Sequence, residues 1–78
     1  MMNYQVSFQY YGNNEHGSDD YRFTTEAEAQ EKFLSLSEII KVQFQGCRNA
    51  EVIDEPDFFG IIDHTTGDWA KVIMSEGK

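Results

Sequence analysis

The sequence predicts an α+β domain: an antiparallel sheet of four or five strands, in the order ββαββ or ββαβββ, with one amphipathic helix packed on one face. Three observations predict it. Tyr4–Tyr10 alternates apolar and polar residues with a period of two. Thr25–Glu28 carries a helix-start signature, and apolar residues follow it at steps of four and three. Phe58–Met74 reads as two apolar runs separated by His64-Thr65-Thr66-Gly67, a turn by composition.

Taken in order, Tyr4, Val6, Phe8 and Tyr10 share one side of the first strand, and Gln5, Ser7 and Gln9 share the other. Tyr11 falls on the polar side. Gly12–Asp20 is rich in Gly, Asn, Ser and Asp and reads as a loop. Tyr21 and Phe23 resume the alternation, so the two runs predict a hairpin with a long tip. Thr25-Glu26-Ala27-Glu28 fits the capping box, in which hydroxyl and carboxylate satisfy free N–H groups at a helix start. Glu26, Glu28 and Glu31 lie where the helix dipole favours negative charge. Ala29, Phe33, Leu36 and Ile40 form one apolar stripe, which Phe44 extends, and Gly46 is a stop. The helix is predicted over Thr25–Val42; Ile40, Val42 and Phe44 also alternate as a strand does, which leaves Ile40–Gln45 open to either reading. Ala50–Asp54 is a short strand ended by Pro56, which cannot donate to a ladder. Phe58–Asp63 and Asp68–Met74 form the second hairpin, with Gly67 able to take positive φ. Ser75–Lys78 reads as a frayed tail. The stripe is expected to press on Val6, Phe8, Phe23, Ile53, Ile61 and Val72, leaving Tyr11, Tyr21 and Trp69 on the opposite face.

Composition bounds the rest. The 78 residues make one domain, residues 1–78, and carry 14 acidic against 6 basic residues, a net charge of −8. A domain this small buries only ~60% of its unfolded surface. Six Phe, four Tyr and one Trp offset that, since each ring buries roughly 150–250 Å². Cys47 is the single cysteine, which excludes an internal disulfide and points to a small, partly buried apolar role. Neither a leader pattern nor an apolar run of membrane-spanning length is present, so a cytoplasmic protein is expected.

Chemistry has little foothold. Cys47 can be paired on paper with His16 or His64, and His64 with Asp63 or Asp68, but none has the setting of an activated nucleophile. Gly12 and Gly17 do not form a phosphate loop. Asp54–Asp57 and Glu15–Asp20 do not match a calcium loop, and the two histidines read as exposed turn residues. No enzyme activity, cofactor or metal is expected. Arg22, Lys32, Lys41, Arg48, Lys71 and Lys78 are scattered, so the chain is not expected to bind nucleic acid or a membrane directly. An acidic surface suits a basic protein partner, because carboxylates offer Lys and Arg the charge-assisted hydrogen bonds that phosphates offer. Glu15, Asp19, Asp20, Glu26 and Glu28 are the candidate contacts, with Tyr11 and Trp69 as apolar anchors. The alternative is a small housekeeping or assembly domain that self-associates, a homodimer included, and for which acidity is only solubility.

The hairpin from Tyr4–Tyr11, the capped helix Thr25–Ile40 and the hairpin Ile61–Val72, on an acidic chain of this size, resemble small phage and mobile-element proteins, among them anti-CRISPR and other anti-defence inhibitors. The resemblance is one of architecture and charge and transfers no individual residue. It implies a stoichiometric inhibitor that blocks a nucleic-acid-handling target.

Overall fold

A computed structural model describes residues 3–12 and 15–77. The alternating first run forms β1 (Asn3–Gly12), followed by β2 (Glu15–Phe23), α1 (Glu26–Gln43), β3 (Ala50–Glu55), β4 (Phe58–Asp63) and β5 (Trp69–Gly77). All neighbouring pairs are antiparallel, and the order across the sheet is β2-β1-β5-β4-β3. The ββαβββ order is one of the two that the sequence predicts. α1 joins the two edge strands by crossing one face of the sheet. It packs on β5, β1, β4 and β2, and makes no contact with β3.

The helix starts where the sequence places it. The Thr25 hydroxyl accepts the Glu28 N–H at 3.3 Å and donates to the Glu28 carboxylate at 2.8 Å. At the other end, α1 continues through Gln43 and Phe44 caps it, its N–H donating to the Ile40 carbonyl at 3.1 Å. The strand reading of Ile40–Gln45 is therefore not realised, because the Ile40 stripe position is fully buried under the helix. Ala29, Phe33, Leu36 and Ile40 meet Val6, Phe8, Phe59, Ile61, Ala70 and Val72 in the core. Ser37 lies in the same stripe; its hydroxyl donates to the Phe33 carbonyl at 2.8 Å, which satisfies it inside the helix. Lys32 covers the Tyr21 ring at 4.3 Å and Lys41 the Phe59 ring at 5.3 Å, so two of the few cations flank the core with their stems.

Four expectations are corrected. The long loop is largely strand: Glu15–Phe23 pairs with β1 in unbroken register, Gly12 opposite Glu15, and Asn13 and Asn14 lie outside the described residues. Gly17 made that stretch look like a loop, yet it is the seat of the Tyr10 ring. A Cβ there would lie 2.6 Å from the Tyr10 hydroxyl oxygen. Ser75–Gly77 is strand as well, because β5 pairs with β1 as far as Asn3; Lys78 is outside the described residues. Ile53 is not in the core: it stands opposite Gly60 and is 41% exposed. Tyr21 stands opposite Val6 and packs on the core side, half-buried, instead of joining Tyr11 and Trp69.

The β4–β5 turn behaves as predicted. Gly67 takes φ +82°, and its N–H donates to the Asp63 carbonyl at 2.8 Å. A Cβ at Gly67 meets nothing within 4 Å, so only the backbone objects to a side chain. Gly67→Ala is expected to lower stability by about 1–2 kcal/mol, read as a drop in urea midpoint with an unchanged slope; an unchanged midpoint would show that the turn relaxes at no cost.

Candidate functional site

The side chains that α1 does not cover form an open sheet face, and strand parity decides its content. Tyr11 pairs with Trp69, Trp69 with Ile62 and Ile62 with Glu51, which makes one row across four strands. The next row on this face runs Gln9, Lys71, Gly60, Ile53, and the third runs Ser7, Ile73, Phe58, Glu55. The β5–β4–β3 half of the face is thus apolar and aromatic at its centre, while the β1–β2 half is polar. Trp69, Ile62, Ile73 and Phe58 are half-buried by one another, and Tyr11 is 40% exposed.

Gly60 gives this patch its relief. The strand lacks a side chain there, and a hollow of about 240 Å³ opens between Ile53, Phe58, Ile62, Trp69 and Lys71. The Phe58 ring leans towards the gap, 3.1 Å from where a Cβ would sit. The Lys71 ammonium is 5.5 Å from the Trp69 ring centroid. Glu51 and Glu55 border the patch from β3, and Glu51 reaches the His64 imidazole at 3.5 Å.

A second hollow, of about 370 Å³, lies at the end of the sheet beside the C-terminus of α1, among Tyr10, Glu15, Cys47, Asp63 and Asp68. Its most buried acid, Asp63, is committed to the turn: its carboxylate accepts the Thr65 N–H at 2.8 Å. That hydrogen bond chiefly holds the Asp63 carboxyl below the usual carboxylate range, against the opposing effect of burial. Burial first, and the neighbouring Asp63 second, push the Cys47 thiol up from its ordinary value. Among the described residues no group of His, Cys, Asp and Glu converges to hold a metal ion. Because the Asp63 value is lower in the folded chain than in the unfolded one, its stabilisation is present at neutral pH and is lost as pH falls through the folded value. Asp63→Asn is expected to flatten that acid-side loss; urea midpoints at neutral and acid pH check it, and equal acid sensitivity in both proteins would remove Asp63 as the cause.

The sequence-predicted site residues separate into two groups. Tyr11 and Trp69 are brought together as cross-strand neighbours on the open face. The acids are not gathered beside them. Asp20 shares the open face, opposite Ser7, whereas Glu15 and Asp19 lie on the helix side of β2. Glu26 and Glu28 sit in the first turn of α1, and Glu28 is engaged by its cap. Phe58, Ile62, Lys71 and Ile73 were not anticipated as contacts. Their signal was legible: β4 and β5 are apolar at consecutive positions instead of alternating, as strands with two apolar faces are.

No helix among the described residues is long and apolar enough to cross a membrane. No protein-family model, curated protein or solved structure matches the chain.

Proposed function

We propose that this protein is a non-catalytic inhibitor that binds a basic, nucleic-acid-handling surface of another protein. The reading rests on one observation: an uncovered aromatic and aliphatic patch on an open sheet face, bordered by carboxylates, on a chain of net charge −8. The patch, with Trp69 beside the Gly60 hollow, supplies the desolvated anchor. Glu51 and Glu55 on one side and Asp20 on the other meet Lys and Arg side chains that would otherwise hold phosphates. The carboxylates follow both sheet edges and the helix start rather than one plane, so this is charge competition at a rim and not a copy of a duplex backbone.

Self-association through the same patch is the second reading, favoured by its apolar centre and opposed by the repulsion of two strongly anionic chains. The deciding experiment captures the partner on immobilised protein and challenges the complex. Release on raising salt from roughly 0.05 M to 0.5 M, together with displacement by a nucleic-acid duplex, is expected. A partner retained at high salt and indifferent to nucleic acid would end the inhibitor reading. A concentration-dependent dimer in sedimentation that disappears in Trp69→Ala would favour the second.

A further inference from the structure

β3 leaves a hydrogen-bonding edge free. The His64 N–H donates to the Asn49 carbonyl at 3.1 Å, so these two residues form a hydrogen-bonded pair of the β3–β4 ladder. Such pairs alternate along antiparallel strands. In the observed register Glu51, Ile53 and Glu55 therefore bond to β4, and Ala50, Val52 and Asp54 turn their N–H and C=O groups outward. β3 is the last strand of the sheet, and α1 does not reach it.

Sheets guard such edges with proline, bulges, covering elements or charge. β3 has no internal proline, its six residues keep an unbroken register, and nothing among the described residues covers it. Val52 is 54% and Ile53 41% exposed, on opposite faces of the strand. Only charge remains as a guard, and it is all of one sign: Glu51, Asp54 and Glu55. Charge of one sign repels copies of the same strand. Antiparallel pairing of two β3 strands centred on Ile53 sets Glu51 against Glu55 of the other copy, and like charges directly opposite destabilise a sheet. The same charge attracts a strand of opposite sign. β2, the other edge, differs in having its apolar residues Tyr21 and Phe23 half-buried against the core.

We propose that the free edge of β3 captures an extended, basic segment of the partner protein by strand addition. On the open-face side, Glu51, Ile53 and Glu55 run acid, apolar, acid, so the complementary segment runs basic, apolar, basic at every second residue. Backbone bonds to Ala50, Val52 and Asp54 supply affinity, and the alternating side chains supply selection. The proposal deepens the binding reading above, since Ile53, Glu51 and Glu55 belong to the same face as Trp69.

The probe is a blocked synthetic peptide, Thr-Arg-Thr-Val-Val-Lys-Thr, added to the full chain while amide hydrogen exchange is followed by NMR. Exchange at Ala50, Val52 and Asp54 is expected to slow by about tenfold or more, with β2 amides unchanged. A peptide with Glu in place of Arg and Lys is expected to give no protection. Val52→Pro removes an outward N–H without removing a ladder bond and is expected to abolish the effect. A peptide N-methylated at alternate residues tests the same point without altering the protein. Equal binding of the N-methylated peptide, or no protection at millimolar peptide, overturns strand addition. Protection of these amides by protein concentration alone would make a second copy the occupant and overturn it too. Protection at β3 with a partner that nucleic acid cannot displace defeats the inhibitor reading alone; displacement without protection defeats strand addition alone.

Discussion

Replacing Phe33 with alanine is expected to leave the chain largely unfolded at room temperature. Phe33 is 5% exposed and stands in the middle of the helical stripe that covers the sheet. Truncating a buried phenylalanine costs about 3–5 kcal/mol, part lost transfer and part cavity. A core in a chain of this length rarely supplies more than about 3–5 kcal/mol in total. The substitution therefore removes a share comparable with the whole margin. Leu34, one residue on, is 55% exposed on the outer side of α1, and Leu34→Ala is expected to change stability by no more than about 0.5 kcal/mol. Urea titration followed by circular dichroism compares the two. A cooperative Phe33→Ala transition at the original midpoint would mean that the helix does not hold the sheet as described.

The second large effect is on binding. Trp69→Ala is expected to weaken capture of the partner by about 2 kcal/mol or more, roughly thirtyfold, as removal of a central aromatic anchor does. Trp69 is flanked on its row by Tyr11 and Ile62 and approached by Lys71, so the anchor is held in place before the partner arrives. Tyr11→Ala, at the border of the patch, is expected to cost less, and Trp69→Phe to retain much of the affinity. Calorimetry on the captured partner gives the numbers, and an unchanged circular dichroism spectrum shows that the fold survives. Full affinity in Trp69→Ala, combined with loss on charge reversal at Glu15, Asp19 and Asp20, would move the contact from the open face to the edge of β2.

Local physics made the elements readable. The Thr25–Glu28 cap, the stripe Ala29–Phe33–Leu36–Ile40 and the positive-φ Gly67 are each decided within a few residues, and each is where the sequence places it. Misreadings arose where a partner strand decides the outcome. Gly17 in a polar stretch has the composition of a loop, and it becomes strand because Tyr10 across the ladder fills the space a side chain would take. Ser75–Gly77 looks like a tail until β1 lies beside it. The same limit applied to the site. Trp69 and Tyr11 were identifiable as a strand-borne pair of rings outside the core pattern, whereas the borders that Glu51 and Glu55 lend them come from β3, more than a dozen residues away along the chain.

By itself, then, the sequence determined the kind and order of the elements to within one strand, the helix face that is buried and the anionic character of the surface, because periodicity, capping and charge are properties of short stretches. Tertiary structure alone decided which strands stand at the edges, that Ile53 faces outward while Tyr21 faces in, and that an apolar patch lies between carboxylates from different strands. Those outcomes depend on register, and a shift of one residue turns every side chain of a strand to the other face.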